Sequence, residues 1–165
     1  MDGYRRRIMD SLLEKKLQAK GAVLIEGPKW CGKTTTAEEM AASKILLART
    51  DVKNNFKSLL EIDVDAALSG ETPMLIDEWQ TVPKLWDAVR YTVDHRRKMG
   101  QFILTGSAVP DKTAEEEREH SGTGRFAWLT MRPMTLFESG DSNGKVSLGN
   151  LFTQPEKILE KNVLK

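Results

Sequence analysis

Two rhythms run along the chain, short unbroken apolar runs and longer stretches in which apolar residues recur every three or four positions. The first pattern reads as buried strands and the second as helices with one inward face. Residues 5–19 carry Ile8, Leu12, Leu13 and Leu17 near one face, which predicts a helix closed by Gly21. A first strand follows over 22–26, a helix over 35–42 and a second strand over 44–48. Residues 51–68 predict one continuous helix, with Val52, Phe56, Leu59, Leu60, Val64 and Leu68 on its apolar stripe. The run 73–78 is a third strand ending in two carboxylates, Asp77 and Glu78. Residues 83–98 form a helix with Leu85, Trp86, Val89 and Val93 inward, ended by Gly100. Residues 101–104 make a fourth strand running into Thr105-Gly106-Ser107, and 125–130 a fifth. The segments 110–124 and 139–150 are polar or rich in glycine, serine and asparagine, and read as loops. Between and after them stand a helical turn over 135–139 and a last helix over 155–163.

Strands alternating with helices predict an α/β fold, a mainly parallel five-stranded sheet with helices on both faces. Ligands of such sheets sit beyond the carboxyl ends of the strands. Three chemically distinctive stretches each follow a strand, so the topology gathers them at one edge.

The first is Gly27-Pro28-Lys29-Trp30-Cys31-Gly32-Lys33-Thr34, a complete G-x-x-x-x-G-K-[ST] phosphate-binding loop between a strand and a helix that starts at Thr35. Gly27 and Gly32 allow close phosphate approach, Lys33 reaches the β- and γ-phosphates, and the Thr34 hydroxyl ligates Mg²⁺. Residues 27–35 are the candidate nucleotide contacts. The second stretch is Met74-Leu75-Ile76-Asp77-Glu78, in which Asp77 holds Mg²⁺. Strand alternation turns Glu78 another way, toward the proton of an attacking water. The third is Thr105-Gly106-Ser107, where either hydroxyl orients the water or senses the γ-phosphate, or serves turn chemistry alone. Arg125 follows the glycine-flanked His120-Ser121-Gly122-Thr123-Gly124 and has two open readings, an arginine finger or an ordinary ion-pair residue. Trp30 and Trp79 are candidates for stacking on adenine or for packing, and Cys31 for a reactive thiol near a helix N-terminus.

Composition narrows the picture. Lys plus Arg number 25 against 24 Asp plus Glu, so no net positive field argues for nucleic acid. Arg5, Arg6 and Arg7 read as a solvated helix end. One cysteine excludes an intrachain disulfide and fits a reducing compartment. No apolar run nears the ~20 residues of a membrane span, so a cytoplasmic protein is expected. Two histidines, His95 and His120, without clustered ligands make a zinc site an unfavoured reading.

Taken together, residues 24–36, 75–79, 102–108, 120–126 and the Arg132-Pro133-Met134-Thr135-Leu136-Phe137-Glu138 run resemble the bacterial and archaeal AAA-type ATPases that join an N-terminal ATPase domain to a C-terminal domain of unknown function. The forms Gly-Pro-Lys-Trp-Cys-Gly-Lys-Thr-Thr-Thr and Ile-Asp-Glu-Trp-Gln look most like the actinobacterial branch. The resemblance implies a three-layer P-loop NTPase of the AAA/RecA-like type, with an extra strand between the strands that carry the phosphate loop and the Asp-Glu pair. It implies ATP and Mg²⁺ as cofactors, with Lys33, Thr34, Asp77 and Glu78 in the corresponding roles and Arg125 in an arginine role. On this reading residues 1–150 are the ATPase domain with its N-terminal helix, and 151–165 begin a linker or a truncated second domain. The expected activity is Mg²⁺-dependent ATP hydrolysis driving a conformational switch, in a protein that forms homo-oligomers. The competing readings are a nucleotide-gated signalling module with little turnover and, behind it, a DNA-associated ATPase. A small-molecule kinase fits poorly with Glu78 and with the acidic run 115–119.

Overall fold

A computed structural model describes residues 3–107, 123–144 and 148–153, and within them two compact units, Ile8–Pro133 and a second formed by residues up to Arg7 and from Met134 on. In the larger unit the elements are α1 (Ile8–Ala19), β1 (Ala22–Gly27), α2 (Lys33–Glu38), β2 (Ser43–Leu46), α3 (Thr50–Ile62), α4 (Val64–Ala67), β3 (Met74–Asp77), α5 (Leu85–Arg96), β4 (Phe102–Ser107) and β5 (Phe126–Thr130). The five strands are all parallel, in the order β2-β3-β4-β1-β5. β4 therefore stands between β1 and β3, which is the extra strand expected between the phosphate loop and the Asp-Glu pair.

The central strands β1, β3 and β4 are mostly apolar and buried because both faces of the sheet are covered. Leu24, Ile76, Phe102, Leu104 and Phe126 turn to one face, where Phe56 and Leu60 of α3 and Trp86 and Val89 of α5 meet them. Val23, Ile25, Leu75 and Ile103 turn to the other, against Leu13 and Leu17 of α1 and Ala37 of α2. This is the three-layer arrangement. Trp86 is fully buried and stacks on Phe126 at 4.0 Å between ring centroids. Each such side chain contributes roughly 1.5–3 kcal/mol by leaving water.

Several expectations are corrected. The helix over 51–68 is two, because Asp63 is extended and its carboxylate accepts from the Ala66 N–H, capping a new start. α5 ends at Arg97 in the left-handed conformation rather than at Gly100. β4 runs on through Thr105-Gly106-Ser107, so that stretch is strand and not turn. On α1, Leu13 and Leu17 are buried, whereas Ile8 and Leu12 are exposed. No helix among the described residues is long and apolar enough to cross a membrane.

In the smaller unit, α6 (Leu136–Ser139) is a single turn with a capping box between Thr135 and Glu138, and α7 (Leu148–Thr153) enters the stretch read as loop. Arg7 corrects the solvated-arginine expectation. Its Nε donates to Glu138 Oε1 at 3.1 Å, with both side chains almost wholly covered. The helix expected over 155–163, His120 and most of the loop 110–124 lie outside the described residues.

Candidate functional site

The strand register decides which side chains meet. Gly27 at the end of β1 stands opposite Ser107 of β4, and Asp77 at the end of β3 stands opposite Thr105. The phosphate loop, the two acids and the Thr-Gly-Ser stretch thus share the carboxyl edge of the sheet, as the topology predicts.

The loop leaves β1 at Gly27, where a Cβ would lie 2.3 Å from the Met131 carbonyl oxygen, so only glycine lets the chain pass. Trp30 and Gly32 both adopt left-handed backbone angles before α2 begins at Lys33. An open cavity of about 400 Å³ lies over the loop, lined by Lys29, Trp30, Gly32, Lys33, Thr34, Thr35 and Glu78. That is within the size range of small-ligand sites. Lys33 is buried, and its Nζ donates to the carbonyls of Gly27 at 2.9 Å and Pro28 at 2.8 Å. Gly27 and Pro28 therefore face the lysine through their backbone. Cys31 turns away into the core, with its sulfur 3.7 Å from the Met131 carbonyl oxygen, so the thiol expected to be reactive is buried. Trp79 is buried against Trp86 at 5.2 Å, so it packs the core and is not free to stack on a base. Trp30 is wholly exposed at the cavity wall.

Asp77 is buried at the last position of β3, and its Oδ1 accepts from two hydroxyls, Thr34 Oγ1 at 2.7 Å and Thr105 Oγ1. One carboxylate and one hydroxyl beside a phosphate cavity match what Mg²⁺ takes from a protein when phosphates and water supply the rest. No group of three or more His, Cys, Asp or Glu side chains that could hold a metal occurs among the described residues. Thr105 corrects the expectation of a hydroxyl aimed at the ligand. It is buried in β4 and engaged with Asp77. The side chain of Ser107 lies outside the described residues.

Glu78 reaches the cavity by a route other than strand alternation. The strand stops at Asp77, and Glu78 is left-handed with φ 56°. That turn drives Trp79 inward onto Trp86 and leaves the Glu78 side chain at the cavity wall. A non-glycine residue in this region costs on the order of 1–3 kcal/mol. Gln80, which the residue-by-residue reading passed over, donates from Nε2 to Glu78 Oε2 at 2.5 Å. The signal for it was its place two residues after the acid in Asp-Glu-Trp-Gln.

Arg125 is at the wrong edge for an arginine acting on its own site. It precedes β5, and its carbonyl accepts from the N–H of Ala22, the first residue of β1. From Ala22 to Gly27 the strand advances about 3.3 Å per residue, so roughly 17 Å of sheet separates Arg125 from the loop. Its Nε donates to Asp94 Oδ1 at 2.7 Å, with side-chain exposures of 45% and 39%. The hydrogen bond from Arg125, then its charge, hold the Asp94 carboxyl below the usual carboxylate range, while Asp94 raises the guanidinium above its own.

The profile of a family described as an AAA domain matches residues 19–139, well over half the chain. Two uncharacterised proteins, one of Mycobacterium bovis and one of Mycobacterium tuberculosis, are each 29% identical over 138 residues. The match takes in 83% of this chain but 31% of theirs, so the chain spans about a third of the length of these relatives. Among solved structures, the ORC2 protein of Aeropyrum pernix, in ADPNP-ADP complexes, aligns over 84% of this chain and 52% of its own at 15% identity and a TM-score of 0.46.

Proposed function

The chain belongs to the AAA domain family of nucleotide-binding ATPase-type domains, and from that premise we propose that its carboxyl-edge site binds Mg²⁺-ATP and hydrolyses it, Glu78 serving as the base. The observation that carries the reading is the meeting of Thr34 with Asp77 at 2.7 Å beside a cavity lined by Lys33 and Glu78. Nucleotide binding draws the Lys33 ammonium from the Gly27 and Pro28 carbonyls onto the β- and γ-phosphate oxygens, exchanging neutral acceptors for charged ones. Thr34 and Asp77 are the residues that would hold Mg²⁺, which would supply neutralisation of phosphate charge there. Thr105 keeps the Asp77 carboxylate oriented. Glu78 accepts a proton from the attacking water as its oxygen bonds to the γ-phosphorus and the bond to the bridging oxygen breaks, releasing ADP and phosphate. The cycle drives a conformational switch.

The position of Arg125 supports a second element of the proposal. An arginine at the amino edge, exposed and out of reach of its own loop, acts on a site only when it belongs to a second copy of the chain. An isolated chain then holds nucleotide and turns it over slowly.

Calorimetry of Mg²⁺-ATP binding paired with phosphate release at saturating ATP tests both. Wild-type protein is expected to bind and to release phosphate at a rate per chain that rises with protein concentration. Glu78→Gln is expected to bind within about twofold of wild type and to turn over roughly 10²–10⁴-fold more slowly. Wild-type turnover in that variant removes Glu78 as the base, and an absence of nucleotide binding removes the whole reading. A concentration-independent rate that Arg125→Ala leaves unchanged removes the second copy.

A further inference from the structure

Gln80 lies partly buried in the short helical turn that follows Glu78. Its Nε2 donates to Glu78 Oε2, and an ionised carboxylate offers only acceptors, so the amide nitrogen must be the atom that faces it. With the amide so oriented, Oε1 is buried and has no hydrogen-bond partner among the described residues. Buried carbonyl oxygens are rarely left in that state, and one that is calls for a reason. The packing on the other side is equally specific. A Cβ on Gly106 of β4 would lie 2.8 Å from Gln80 Oε1 and 3.0 Å from Trp79 Nε1. Gly106 is in ordinary strand conformation and is not needed for its backbone angles. What its lack of a side chain admits is the Gln80 amide.

We propose that Gln80 is a positioning residue for hydrolysis, its side-chain amide clamping the Glu78 carboxylate in place at the cavity wall while Gly106 gives the amide its seat. The inference deepens the reading of Glu78 as the base and rests on it. A general base must hold its oxygen within hydrogen-bond reach of the water it deprotonates. Glu78 sits on a left-handed residue just past the end of a strand, where no ladder of backbone bonds restrains its side chain. The amide supplies that restraint. The orphaned Oε1 is its cost, since the one orientation that serves Glu78 leaves the oxygen against β4.

A double-mutant cycle on the full chain reads the clamp. Gln80→Ala is expected to lower kcat about tenfold or more, since small misplacements of reacting groups reach 10²-fold, with ATP affinity within about twofold of wild type. Gly106→Ala, by displacing the amide, is expected to lower kcat in the same direction. In the Glu78→Gln background Gln80→Ala is expected to cause no further loss, because the residue acts only through the carboxylate. An unchanged or higher kcat in Gln80→Ala overturns the proposal, as does an equal loss in both backgrounds. Wild-type turnover in Glu78→Gln alone is a different result and overturns the base itself. The side-chain amide NMR signals of Gln80 report the contact without any turnover. They are expected to shift in Glu78→Ala, and signals that stay in place overturn the clamp.

Discussion

At the carboxyl edge of the sheet Lys33, Asp77 and Thr105 are all buried, and each is held by groups within 3 Å on the loop or the neighbouring strand. At the amino edge Arg125 and Asp94 form an ion pair of similar length, yet both stand well exposed to solvent. The same kinds of group, in one parallel sheet, are thus put to unlike use. Burial withdraws the first set from competing water, so each polar contact counts for more and leaves any partner group costly to strand. Exposure leaves the second set screened, and a pair of that kind contributes little to folding. Proximity of opposite charges alone therefore does not mark a site. What distinguishes the carboxyl edge is that its charges are held out of water beside a cavity that Lys33 helps to line.

Both edges hang on one core, and the largest effect expected is the one that abolishes the difference between them. Trp86→Ala should cost about 3–5 kcal/mol, since it empties the space against Phe126 and Trp79. Chemical denaturation measures it, and a loss under 1 kcal/mol would mean that the core does not rest on this ring. Next is Lys33→Ala, expected to weaken Mg²⁺-ATP roughly a hundredfold, the size of a lost charge-assisted contact. Calorimetry checks it, and unchanged affinity would put the buried lysine on the same footing as the exposed arginine. Thr105→Val keeps the volume but removes one donor to Asp77, and should reduce ATP affinity about tenfold in Mg²⁺ and hardly at all in EDTA. Equal loss in both conditions would locate the effect outside the carboxylate proposed to hold the metal.

The smallest effect belongs to the amino edge. Arg125→Ala should leave ATP affinity unchanged and barely move the melting temperature at neutral pH. Its signature is in acid. Because Arg125 depresses the Asp94 carboxyl in the folded state, the contribution of the pair is complete above the unfolded value of about 3.9 and is lost as pH falls through the folded one. The variant should therefore lose slightly less stability than wild type on acidification. Melting curves over pH 2–7 decide this, and a marked loss of stability at neutral pH would contradict the screened-pair account.

The sequence by itself determined the fold class, because unbroken apolar runs alternating with 3.6-period stretches leave few solutions other than a parallel sheet covered on both faces. It also determined the phosphate loop, whose glycines and Lys-Thr pair are contiguous, and the edge at which the loop, Asp77 and Thr105 converge, since strand direction follows from connectivity. Tertiary structure alone decided what each side chain does there. Thr105 is bonded to Asp77 rather than turned to the cavity because β4 continues through it beside β3. Glu78 faces the cavity through a left-handed turn that also carries Trp79 inward onto Trp86, a contact between residues that no local pattern pairs. The glycine-rich flank of Arg125 left open a finger or an ion-pair residue; it pairs with Asp94, and its distance from the loop is set by register, in which its neighbour Phe126 aligns with the first residue of β1 and not the last. Cys31 was read as reactive and Arg7 as solvated from their neighbours in sequence, and both are buried, in contact with residues about a hundred or more positions away. Local pattern specifies which elements form, while the partner of a polar group depends on which strands stand side by side and in what register.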